Sequence, residues 1–119
     1  MKNYKQELEN MLDLRLKNVE RLYALDMESQ KTKEYIAKEE LEVKIDFNRR
    51  VDSKDPMYSN AEKRKVALQN ELENDTKINS AKEDLEEQER RLLQEKLHET
   101  RLKLMERYLF KEIDLETGK

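Results

Sequence analysis

Val51-Asp52-Ser53-Lys54-Asp55-Pro56-Met57-Tyr58-Ser59-Asn60-Ala61-Glu62 decides the fold, because it is the stretch where this chain carries turn chemistry. Pro56, the single proline, pushes Asp55 away from helical backbone angles. Ser59, with Glu62 three residues later, spells a capping box that opens a new helix. The single glycine, Gly118, stands in the tail and marks a helix stop. A turn over 52–58 therefore separates two nearly equal helical arms, 3–51 and 59–114.

The first arm opens at Asn3, a capping residue that Gln6 can answer. Leu8, Met11, Leu12, Val19, Leu22 and Tyr23 then recur at three-four spacing, against Glu9, Asp13, Lys17 and Glu20 on the opposite face. The stripe fades through the polar run 28–34 and resumes at Tyr35-Ile36-Ala37. Leu41, Val43, Ile45 and Phe47 alternate with Glu42, Lys44 and Asp46, which is the period of a strand. A lone strand needs an edge to pair with, and the chain offers no second clear strand, so helix is preferred and a short β segment at 41–47 is the alternative.

In the second arm Val66, Ala67, Leu68 and Leu72 lead to a break over 74–77, at Asn74-Asp75-Thr76, and Ser80-Ala81-Lys82-Glu83 reads as another capping box. Ile78, Ala81, Leu85 and Leu92 form a seam that drifts to Leu93, Leu97, Leu104 and Tyr108, with helix to about Ile113. Folding at Pro56 sets Tyr4 beside Tyr108, Leu8 beside Leu104 and Val19 beside Leu92. Leu14, Leu16, Leu25, Leu102, Met105 and Leu109 fall off these seams and call for a second partner. The expected fold is all-α: a single long antiparallel helical hairpin, coiled-coil-like, that dimerises into a four-helix assembly.

Composition agrees. Of 119 residues, 45% are charged and 35% hydrophobic, against roughly 25% and 45–50% in ordinary globular domains. The charges are balanced at a net −3, without the basic excess of a nucleic-acid binder or the strong negative excess of an acidic DNA mimic. With no Cys, thiolate catalysis and Cys-ligated zinc are excluded. The start Met1-Lys2-Asn3-Tyr4 lacks the apolar core of a secretory signal, and apolar runs are far too short for a membrane span, so a cytoplasmic protein is expected.

Paired carboxylates such as Glu83 and Glu87 read as solvated neighbours on a helix. A thin hairpin builds no dry pocket to shift a pKa, so no enzyme and no cofactor are expected. Glu95-Lys96-Leu97-His98 carries the Glu-x-x-His spacing of di-metal four-helix sites, with Glu20 as the further ligand that a dimer would supply. In so Glu-rich a helix it reads first as a solvated pair, and a metal-binding four-helix dimer is the lesser alternative. The turn end is the most distinctive surface: Arg49, Arg50, Lys54, Lys63, Arg64 and Lys65 interleave with Phe47, Met57 and Tyr58. It reads as a solvated turn first, and next as a partner-binding patch, with Tyr58 able to stack on a base.

Lys54-Asp55-Pro56-Met57-Tyr58-Ser59-Asn60-Ala61-Glu62-Lys63-Arg64-Lys65-Val66-Ala67-Leu68, followed by a long Glu/Leu-rich helix, resembles small helical coiled-coil accessory proteins of tailed phages and prophages. The shared element is a Tyr-Ser-Asn entry to a helix bearing Lys-Arg and an apolar run, and it covers about half the chain. The resemblance implies a phage accessory or inhibitor protein in the host cytoplasm, accompanying recombination and replication or countering host defences. It carries over no functional residue. The expected function is that of a non-enzymatic protein-interaction module acting on a host or phage nucleoprotein or nuclease complex. Nucleic-acid contact through the basic turn end is the alternative.

Overall fold

Three helices follow one another in the computed structural model, which describes residues 3–51 and 60–118: α1 (Tyr4–Arg50), α2 (Ala61–Asn74) and α3 (Thr76–Thr117). The turn at 52–58, with Lys54, Pro56, Met57 and Tyr58, lies outside the described residues, as does Ser59. The all-α expectation holds. The β alternative does not, because 41–47 is the helical end of α1. Helical spacing splits the alternating residues between two faces: Phe47 is buried and Val43 half-buried, while Leu41 and Ile45 are exposed.

Local capping explains where the helices begin. Asn3 accepts the Gln6 amide at 3.1 Å, but the Gln6 side chain turns to Asn10 at 3.0 Å rather than back to the cap. Asn60, one residue beyond the expected Ser59, caps α2 by accepting the Lys63 amide at 2.8 Å. The break expected over 74–77 is a single residue, Asp75, whose backbone is extended at φ −72 and ψ 118. Its carboxylate accepts the Ile78 amide at 2.9 Å, so Asp75 ends α2 and caps α3 at once. Asn79 donates to the Glu73 carbonyl at 2.9 Å, one of those the helix end leaves open, and Asn74 donates to the Asn70 carbonyl at 2.8 Å. The second capping box is therefore not used: Ser80 sits inside α3. That helix runs on to Thr117, against Gly118.

The chain divides into two compact units, Ser29–Glu87 and Met1–Glu28 with Gln88–Lys119. In the unit Ser29–Glu87, the end of α1 packs antiparallel to α2 and the start of α3, as the ion pairs Arg50–Glu71 and Glu40–Lys82 show. Its centre is apolar: Ile36, Ile78 and Ala81 are buried together, with Val43, Leu72 and Leu85 against them. Ile78 is wholly buried, worth about 1.5–3 kcal/mol for such a side chain.

The other unit pairs the start of α1 with the rest of α3. Arg15 meets Glu106, Arg21 meets Glu95 and Gln88 meets Glu28, so this pair is antiparallel too. Its register differs from the expected one: Tyr4 lies among Glu7, Glu112 and Glu116 rather than beside Tyr108. Here the seam mixes apolar and polar side chains. Tyr4, Leu8, Met11, Arg15, Asn18, Leu22 and Leu25 recur at three-four spacing and are buried or half-buried. Gln88, Leu92, Glu95, Glu99, Leu102, Glu106 and Leu109 do the same in α3. Leu25, Leu102 and Leu109, expected off the seam, are in it. Leu12, Val19, Tyr23, Leu93, Leu97, Leu104 and Tyr108, expected in it, are exposed.

Candidate interaction site

The polar part of the seam in the unit containing both chain ends is built around Asn18, which has no exposed surface. Its amide donates to the Glu95 carboxylate at 2.8 Å and to the Glu95 carbonyl at 3.3 Å, and Arg21 donates to the same carboxylate at 2.8 Å. Desolvation raises the Glu95 pKa, but the bonds from Arg21 and Asn18 and the nearby His98 outweigh it and hold the carboxyl below its ordinary value. The Oδ1 atom of Asn18 is buried without a hydrogen-bond partner, and so is Oε1 of Gln88. A buried Asn of this kind fixes helix register at a cost in stability. With Arg15–Glu106 at 3.1 Å, it selects which α1 face turns inward.

That choice turns apolar residues outward. A groove between α1 and α3 is lined by Met11, Leu14, Met105, Tyr108 and Leu109, together with Glu7, Asn10 and Glu112. Leu14, Met105 and Tyr108 are 39%, 51% and 70% exposed. Beside the groove, the Tyr4 hydroxyl is shielded from water, and desolvation with the carboxylates of Glu116, Glu112 and Glu7 pushes its pKa up to about 12. The groove is thus mostly apolar, with two half-buried carboxylates, Glu7 and Glu112, in its lining. Leu14 and Met105 were legible as residues wanting a partner. Tyr108 was not, because its spacing fits an inner seam as well as an outer one.

The residues singled out in the sequence are not brought together among those described. Arg50 donates to Asp46 at 2.8 Å and Glu71 at 2.6 Å, bonds that raise its pKa further. Arg49 is exposed in the same last turn. Lys63, Arg64 and Lys65 lie about two helical turns before Glu71 along α2, roughly 10 Å from the level of Arg50. Lys54, Met57 and Tyr58 are outside the described residues. Glu95 is engaged by Asn18 and Arg21, while Glu20 is exposed. Among the described residues no group of three or more His, Asp or Glu side chains is placed to hold a metal ion. Among them, too, no helix is long and apolar enough to cross a membrane.

Compared with known protein families, curated proteins and solved structures, the chain matches none.

Proposed function

We propose that this chain is a non-enzymatic protein-interaction module, and that its partner lays an amphipathic helix with basic flanks into the groove between α1 and α3. The observation that carries this reading is the groove itself: Met11, Leu14, Met105, Tyr108 and Leu109 line it with the carboxylates Glu7 and Glu112. Apolar anchors at helical spacing match the apolar lining, and Lys or Arg flanks match the two carboxylates. Those carboxylates disfavour nucleic acid at this place, since phosphates would meet them. The resemblance of 54–68 to phage accessory proteins sets that partner within a host or phage nucleoprotein or nuclease complex. Self-association into a four-helix assembly belongs to the same reading, because the groove occupies only part of the exposed apolar surface.

The test is a titration with a synthetic Leu/Lys amphipathic helix, followed by backbone amide shifts. Binding confined to the neighbourhood of Leu14 and Tyr108, and weakened at least ~10-fold by Leu14→Glu, is the expected result. Equal binding of a Leu/Glu peptide, or shifts spread over both units, would overturn the groove as the docking site.

A further inference from the structure

The flank of this unit opposite the groove carries a second pattern. Leu12 and Leu16 each stand two residues from Leu14, a rotation of about 200° that puts them on the other side of the Met11–Arg15 seam line. With Val19 and Tyr23 they form a row at four-three-four spacing, exposed by 60%, 54%, 55% and 68%. Glu9, Asp13 and Glu20 border that row on the side away from the seam, and all are exposed. On α3 the matching flank begins two residues from Met105 and Tyr108. Lys103, Arg107, Lys111 and Phe110 line a groove with Arg15 there, beside Glu106, which pairs with Arg15, and Asp114 at its far end, and Lys96 continues the basic row two turns before Lys103. The face therefore has an acidic edge on α1, an apolar centre, and a basic edge on α3.

From this charge pattern we infer that a second copy of the chain docks face to face on this flank, about a twofold axis parallel to the helices. This rests on the reading of the chain as self-associating and specifies the surface and the orientation. A twofold axis along the helices carries the acidic edge of one copy over the basic edge of the other and keeps each residue at its own level. The cross-helix pairs Arg15–Glu106 and Arg21–Glu95 set those levels. Asp13 then meets Lys103 and Arg107 of the second copy, Glu9 meets Arg107, and Glu20 meets Lys96. A twofold axis across the helices would instead set acid on acid and base on base.

Asp13 and Lys103 hold neighbours on their own helices, Lys17 at 3.0 Å and Glu99 at 3.1 Å. Both pairs are solvent-exposed enough to share their charges with a second copy. Leu12, Leu16, Val19, Tyr23 and Phe110, on the order of 100 Å² each, bring about 1,000 Å² from two copies, the threshold of a specific interface before the charged edges are counted. The lysine stems add apolar cover while their ammonium groups reach the acidic edge.

The experiment uses full-length chains, with mass measured by sedimentation equilibrium and helicity by circular dichroism. Glu9→Lys/Asp13→Lys/Glu20→Lys and, separately, Lys96→Glu/Lys103→Glu/Arg107→Glu should each shift the wild-type dimer to monomer, at least 10-fold weaker, with helicity kept. Mixing the two variants should restore a dimer, which also shows that both remain folded. One chain bearing all six changes should again dimerise with itself, and loss in each single-edge variant with recovery in the combined one is the pattern the parallel axis requires. A dimer indifferent to the reversals overturns this face while leaving self-association standing. A wild-type chain that stays monomeric overturns both.

Discussion

The two units invert each other. In the unit Ser29–Glu87, Ile36, Phe47, Ile78 and Ala81 are buried, and only Tyr35, Leu41, Ile45 and Val66 are large apolar side chains left exposed among the described residues. In the unit formed by the chain ends, Met11 and Leu102 are the buried apolar residues, Asn18 and Gln88 are buried with them, and the other exposed leucines, methionines and aromatics all lie here. The first unit spends its apolar surface on its own core. The second sets polar side chains among the leucines of its seam and offers apolar surface outward. Helix pairing alone thus does not imply a hydrophobic interface: hydrogen bonds and ion pairs specify register, and burial can be left to another molecule.

Exchanging the two chemistries gives the sharpest break in this comparison. Ile78→Asn, which puts an unpaired amide at a wholly buried site, should cost at least ~3 kcal/mol in denaturant unfolding. The reverse exchange, Asn18→Ile, should cost less, about 1–2 kcal/mol, because it removes a buried amide oxygen that has no partner but also the two bonds that the amide donates to Glu95. Similar losses for both variants would erase the distinction between the units.

A smaller effect sharpens the comparison from the Ser29–Glu87 side. Asp75→Ala removes the acceptor for the Ile78 amide and should cost about 1 kcal/mol. Amide hydrogen exchange should speed up first around 76–79, and unchanged exchange there would remove Asp75 as the cap of α3.

The smallest effects belong to the polar unit and appear as pH dependence. Glu95 has a folded pKa below its ordinary 4.5, so its stabilising contribution is present above that value and is lost as pH falls through the folded one. Thermal midpoints from about pH 6 to pH 3 should fall less steeply for Glu95→Gln than for wild type. Tyr4 works with the opposite sign: its pKa is raised from 10.0 to about 12, so its contribution is present below 10 and fades as pH climbs toward 12. The phenolate absorbance difference between wild type and Tyr4→Phe should titrate near 12 in the folded chain and near 10 in denaturant. A folded-state midpoint near 10 would dissolve the acidic enclosure drawn around Tyr4.

Much of this was legible from residue types with local consequences. Asn3 as a cap, the break at Asn74-Asp75-Thr76 and the stop at Gly118 each follow from side chains that satisfy or interrupt nearby backbone groups. The strand-like alternation at 41–47 misled because four apolar residues two apart can also serve two helix faces. One of those faces packs Phe47 and Val43 while the other leaves Leu41 and Ile45 in water. The docking groove was half legible: Leu14 and Met105 stood out as unpartnered, and Tyr108 was hidden in an apparent seam.

By itself the sequence determined that the chain is helical, where its main breaks fall to within a few residues, and that it carries more apolar surface than one hairpin seam can bury. Helix propensity, capping and composition act within a few residues, so they need no knowledge of the fold. Which face turns inward was decided only in the tertiary structure. Apolar residues ring both helices of the end unit and favour no single face. Asn18 and Arg21 on Glu95, with Arg15 on Glu106, lock one rotation and one register across residues more than seventy positions apart. Those cross-chain pairings send Leu12, Val19 and Tyr108 to the surface, because their geometry exists only once the two helices lie side by side.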